Sequence, residues 1–203
     1  MKNNLLDKNK AEKLLLWAEK SNPGKWIQHS YHVAKSAEII ANKCSLDNNF
    51  AYILGLLHDI GRYEGITNLR HVYAGYNLMN EKGYYDIAKI CLTHSFPFQN
   101  IESYQGDIDC DKNEVNYLKN ELEKTLYNDY DKLIQLCDAL CLAEGVTIIE
   151  CRIVDVVNRY GFNKYTLNKW NSIFENKKYF DKKCNMNIYE LFYEDIIKNI
   201  LRI

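Results

Sequence analysis

The ten residues Leu54 to Tyr63, LGLLHDIGRY, end an apolar run in a histidine, an aspartate and a glycine. Packing alone would be served there by another leucine and a surface lysine. His58 and Asp59 are instead two potential metal ligands side by side. The chain has five histidines in all: His29, His32, His58, His71 and His94. His29 shares a helical stripe with Val33, Ala37 and Ile40, where a polar ring needs a partner or is desolvated at a cost. His71 opens one helical segment and His94 lies at the end of the next. Asp138 interrupts LIQLCDALCLA, an apolar stretch in which an unpaired carboxylate is expensive. A metal removes all of these burial costs together, because imidazole nitrogens and carboxylate oxygens are satisfied by coordination. His32 is the odd one out and reads as a neighbour of the ligands or a surface residue. Cys137 and Cys141 flank Asp138 one turn apart on an apolar helix and read as core, not as thiolate ligands.

The elements that must position these residues are helical almost throughout. Two prolines and nine glycines punctuate the chain. The pattern predicts helices over DKNKAEKLLLWAEK, stopped by Asn22-Pro23-Gly24, and over WIQHSYHVAKSAEIIANK. Asp47 is an N-cap candidate for NNFAYILGLLHD, and Gly61 stands where a C-terminal cap belongs. HVYAGYNLMNEKG and YYDIAKICLTHS follow, separated at Gly83. Residues 96–111 form the best loop candidate. Helical pattern resumes in NEVNYLKNELEKT, in NDYDKLIQLCDALCLAEG, in TIIECRIVDVVNRYG and in two further segments to Ile203. Alternation of the kind a sheet needs is nowhere sustained. The final fifty residues show no obvious chemistry and read as a packing layer or a substrate-side lid.

Composition narrows the function classes. A chain of 203 residues that is 47% hydrophobic and 26% charged suits a single soluble globular domain. A net charge of −1 and a pI near 6.5 give no bulk field for nucleic acid or an anionic membrane. No apolar segment approaches the roughly 20 residues of a membrane span, and the first 25 residues carry charges where a signal peptide would be apolar. Seven cysteines without a CxxC pair, with Cys44, Cys91, Cys137, Cys141 and Cys151 among apolar residues, point to a reducing compartment. The expected location is cytoplasmic.

Taken in order, QHSYHVAKSAEIIA, GLLHDIGR, RHVYAGYNLM, CLTHS and LIQLCDAL resemble the HD superfamily of metal-dependent phosphohydrolases, over about residues 26–145. The resemblance implies an all-α, HD-domain helical bundle, with residues 1–203 forming one domain and a helical extension over about 146–203. It implies His29, His58, Asp59 and Asp138 as core metal ligands. His71, His94 and the HDIG spelling resemble the subgroup with two metals, which includes bacterial diadenosine tetraphosphate hydrolases and HD-GYP phosphodiesterases. There are departures. Mononuclear nucleotidase members carry a glutamate three residues after the HD aspartate, where this chain has Arg62; HD-GYP proteins place a phosphate-holding lysine there. The GYP sequence itself is missing, since His94 is followed by SFPFQNIESYQG.

These readings combine into one expectation. His29, His58, Asp59 and Asp138 hold one ion, and His71 and His94 hold a second, with Asp59 bridging. The ions are divalent transition metals, iron first, with manganese, cobalt or nickel as alternatives. A metal-activated water then cleaves a phosphoester or phosphoanhydride bond of a nucleotide, with Asp59 and Arg62 catalytic. Arg62, and less strongly Arg70, would hold the substrate phosphate. Glu64 is a solvated loop residue or a proton carrier. Tyr63, Phe96, Phe98 and Tyr104 are the aromatics that could stack a base. The expected partner is a small phosphorylated substrate, with neither nucleic acid nor membrane, and a homodimer is allowed for. The alternatives are a cyclic-nucleotide phosphodiesterase and a non-catalytic metal- or nucleotide-binding regulator.

Overall fold

Polar capping residues begin several of the helices. In the computed structural model, which describes residues 6–201, Asp7 accepts a hydrogen bond from Lys10 N (2.8 Å) and starts α1 (Lys8–Ser21). Asp47 accepts one from Phe50 N (2.9 Å) and starts α3 (Asn48–Leu57), as its sequence position predicts. Capping boxes at Asp111/Glu114 and Asn128/Asp131 open α6 (Lys112–Lys124) and α7 (Asp129–Leu140). With α2 (Trp26–Lys43), α4 (Arg70–Glu81), α5 (Tyr85–Thr93), α8 (Ile149–Tyr160), α9 (Thr166–Cys184) and α10 (Tyr193–Leu201), the chain is an all-α bundle. The last two residues of the expected C-terminal segment, 202–203, and residues 1–5 at the other end lie outside the described part.

α2 and α3 pack closest, because small residues let their backbones meet. A Cβ placed on Gly55 would stand 2.9 Å from the Cα of Ala34. α1, α5 and α7 join them in the main core, with Leu15, Ile40, Leu54, Leu57, Leu133 and Leu140, and α8, α9 and α10 add Ile149, Ile173, Phe180 and Ile196. A smaller core of Leu69, Val72, Leu92, Phe96, Leu118 and Leu122 joins α4 and α5 to α6. Residues 96–111 form a loop broken by one 3-10 turn, Ile101–Ser103, as expected for this stretch. The loop also has a structural task, since the Asp109 carboxylate accepts from Asn68 N and Arg70 N (2.6 and 2.7 Å) at the start of α4.

Two sequence-based expectations are corrected. The helix expected to run from Asn128 to Gly145 stops at Leu140. Cys141–Leu142 (β1) then pairs antiparallel with Gly145–Val146 (β2) in a minimal hairpin, closed by Gly145 at φ +140°. Gly61 is not a C-terminal cap. α3 ends at Leu57, and Gly61 lies inside a 3-10 turn, Ile60–Glu64, without a positive φ. Its requirement is space: a Cβ there would fall 1.9 Å from His71 O and 2.4 Å from Gly75 N.

All seven cysteines are free thiols, and Cys151 is exposed instead of sitting among apolar neighbours. Among the described residues no helix is long and apolar enough to cross a membrane.

Candidate metal centre

Helix ends bring the ligands together. His58 and Asp59 follow directly on α3, His94 follows α5, and His71 is the second residue of α4, so three side chains come from short turns beside helix termini. His29 on α2 and Asp138 on α7 project from helix interiors. All four imidazoles and Asp59 are buried, and Asp138 is half-buried. The rings form a chain with centroid separations of 5.3 Å (His29–His58), 5.1 Å (His58–His94) and 5.3 Å (His94–His71).

Backbone carbonyls set the tautomers. Nδ1 donates to Gly55 O in His58 (2.6 Å), to Asn68 O in His71 (2.5 Å) and to Ile90 O in His94 (3.1 Å). A neutral ring whose proton is on Nδ1 presents a lone pair at Nε2, the usual arrangement for a metal-binding histidine. Burial pushes the His58 pKa down to about 4. Burial and then the Arg62 charge hold His71 well below the usual imidazole range, so both rings are neutral at neutral pH.

The lone pairs converge. His71 Nε2 and His94 Nε2 are 3.2 Å apart, and each faces Asp59 Oδ1, at 3.2 and 3.4 Å. Three acceptors so close repel one another unless a cation joins them. Their separations are those of neighbouring ligands on one ion with bonds of about 2.0–2.2 Å. The Ser95 hydroxyl, 3.0 Å from His94 Nε2, is one donor within reach. His58 Nε2 is buried and has no hydrogen-bond partner among the described residues, an orphaned acceptor beside the triangle.

The six residues thus sort into two triads capable of holding an ion: His29, His58 and Asp138, and Asp59, His71 and His94. Asp59 spans both, since its Oδ2 lies 3.9 Å from His58 Nε2. In the first triad His29 Nε2 meets Asp138 Oδ1 at 3.0 Å, a bond a metal would have to replace. Burial alone would raise the Asp59 and Asp138 carboxyls. Arg62 chiefly offsets it for the first, and the His29 hydrogen bond for the second, and both stay well below the usual carboxylate range. The donor set of imidazole nitrogens and carboxylate oxygens fits a divalent transition metal.

Arg62 is placed differently from a free phosphate clamp. Its Nε donates to Asp59 Oδ2 (2.5 Å) and Nη1 to Thr67 O (3.3 Å), which leaves Nη2 for a ligand. Arg70, expected as a second phosphate contact, does not line the cavity. Glu64 and Glu114 engage its guanidinium, and neither carboxylate lines the cavity. Of the four aromatics considered for stacking, only Tyr104 reaches the cavity. Tyr63 stacks on Trp17, Phe98 on Tyr165, and Phe96 is core. His32 lies half-buried against the Ala143 backbone, where burial lowers its pKa.

A cavity of about 540 Å³ opens over both triads. Its far wall comes from α8 and α9, largely within the final fifty residues that read as chemically silent in sequence. Arg152 on α8 lies 3.6 Å from Asp138 Oδ1, and Tyr160, Lys169 and Trp170 complete that side. Lys169 is half-buried there, and burial lowers its pKa to about 8, with Asp138 opposing and Arg152 reinforcing. Gln135 is a further residue the sequence reading missed: Nε2 donates to Thr93 O (3.0 Å), and Oε1 accepts from Asn176 (3.0 Å). Asp131, buried and bound by Thr93 (2.8 Å) and Lys89 (2.6 Å), fixes the same end of α5 on α7 and so positions His94. The available signal was a Gln and an Asp three and seven residues before Asp138, polar intrusions at helical spacing on one apolar element.

A model of the HD domain family matches residues 26–143, which include all six candidate ligands and end before α8. No curated protein and no solved structure matches the chain. The sequence match covers more than half of the chain, and the chain therefore belongs to the HD domain family, a superfamily of metal-dependent phosphohydrolases.

Proposed function

We propose that this protein is a phosphohydrolase with a two-ion site, acting on a phosphoester or phosphoanhydride bond of a nucleotide. The observation that carries the reading is the triangle of acceptors at His71, His94 and Asp59, whose 3.2–3.4 Å edges call for a cation. The adjoining His29–His58–Asp138 triad, with its orphaned His58 Nε2, would hold a second ion, and Asp59 lies between the two triads. Bound divalent ions, iron or manganese by ligand type, supply Lewis-acid charge to phosphate oxygens and an activated water.

The protein's own groups orient the rest. Gly55 O, Asn68 O and Ile90 O fix the three Nε2 lone pairs. Arg62 holds Asp59 through Nε and has Nη2 left to donate to a non-bridging phosphate oxygen. For the nucleotide, the aromatic residues that line the cavity, Trp26, Tyr104, Tyr160 and Trp170, are the candidates to pack against a base. A second cleft of about 380 Å³ shares Tyr104, Gln105 and Tyr160 with the first.

The test is the metal-loaded protein against a phosphoester panel that includes mononucleotides, cyclic nucleotides and dinucleoside polyphosphates. His58→Ala and Asp59→Ala should lose bound metal and fall to background hydrolysis while helical content by circular dichroism stays unchanged. Hydrolysis by both variants at the parent rate would refute the reading.

A further inference from the structure

The cavity's cations are already matched to carboxylates, with one exception. Arg62 pairs with Asp59, Arg152 and Arg159 with Asp155 (3.2 and 2.7 Å), and Lys25 with Glu144 (2.9 Å). Lys169 lines the same cavity on α9, half-buried, and among the described residues its ammonium has neither an ion-pair nor a hydrogen-bond partner. An enclosed ammonium without an acceptor is costly, and retaining one in a cavity wall is reasonable where a ligand supplies the anion. Asp138 and Arg152 line the same cavity, and both act electrostatically on Lys169.

We propose that Lys169, backed by Arg152, is a second anion-binding subsite, and that the substrate carries a second phosphoryl group beyond the one held at the histidine–aspartate cluster. The first phosphate rests on the phosphohydrolase reading above; the second rests on Lys169. The subsite comes from α9, outside residues 26–143, so it belongs to this chain's C-terminal layer and not to the shared domain. It would select phosphoanhydride or bisphosphorylated compounds over monophosphates. Lys169 is a binding group in this proposal, with no part in bond cleavage.

Calorimetric titration of the manganese-loaded full chain with inorganic phosphate and with inorganic pyrophosphate tests this. Metal content measured after each titration checks that pyrophosphate has not stripped the ions. Lys169→Met should weaken pyrophosphate binding about tenfold or more, the worth of one charge-assisted contact, and leave phosphate binding within about twofold. Lys169→Arg should restore most of the loss by keeping the charge. Unchanged pyrophosphate affinity in Lys169→Met would overturn the proposal. So would an equal loss for both anions, because Lys169 would then contact the first phosphate. If phosphate failed to bind the parent, the phosphohydrolase reading would fall by itself. The subsite would then stand if pyrophosphate still bound in a Lys169-dependent way, and fall if it did not.

Discussion

Arg62 shows how one residue's chemistry depends on what its neighbours take from it. Three residues after Asp59, it could clamp a phosphate with the whole guanidinium. The 2.5 Å bond from Nε to Asp59 Oδ2 and the bond to Thr67 O leave it one terminal nitrogen for that purpose. It is therefore first a positioning residue for Asp59. Residues that orient a metal ligand typically change metal affinity by about 10–100-fold when removed. Arg62→Ala is expected to weaken manganese binding by about tenfold or more and to lower turnover as well. Metal titration checks it: unchanged affinity with reduced turnover would return Arg62 to the role of a simple phosphate clamp.

At the scale of elements, the site depends on how closely the 3-10 turn after α3 lies on α4. Gly61 and Gly75 make this contact, and the His71 carbonyl is where a Gly61 side chain would go. Gly61→Ala forces backbone apart in a packed interior, which costs about 1–3 kcal/mol or more. It should also displace His71 from Asp59, so metal affinity falls together with thermal stability. Gly83→Ala is the control. Gly83 has φ +75° with open space around it, so alanine there should cost only about 1 kcal/mol of backbone strain and leave metal binding intact. Equal metal affinity in both variants would show that the turn does not set the ligand geometry.

For the molecule as a whole, the two triads draw on α2, α4 and α7 and on the ends of α3 and α5, elements otherwise joined mainly through the apolar core. An ion held at either triad binds the folded chain and not the unfolded one. At about 100 times its dissociation constant it adds about 2.7 kcal/mol, which for about 200 residues is a rise in Tm of about 5–10 °C. Differential scanning calorimetry with manganese, then with excess chelator, should show the rise and its reversal. A Tm indifferent to both would place the histidines in a metal-free core. The C-terminal helices add one wall of the cavity, and through Arg152 and Lys169 they add positive charge to that which Arg62 brings from the matched domain.

How much of this was legible in the residues follows from the range of each interaction. Helix starts at Asp47 and Asp111 to Glu114 are local hydrogen bonds, and the apolar period of α2 and α3 needs only neighbours along the chain, so the all-α bundle could be read directly. The candidate ligands were legible for a related reason: a histidine or aspartate on an apolar stripe is a burial cost that demands a partner wherever the chain goes. Pairings across the fold were not encoded locally. Nothing in the order of residues tells that Arg70 is occupied by Glu114 or that Gly61 makes room for His71 O. Nor does a lysine in an Asn- and Tyr-rich helix announce that it will line this cavity with no counter-ion among the described residues. The sequence by itself determined the helices and the residue types with a burial debt. Only tertiary packing decided which of them meet, because contacts between distant segments are selected by the shape and charge of surfaces that exist only once the helices have docked.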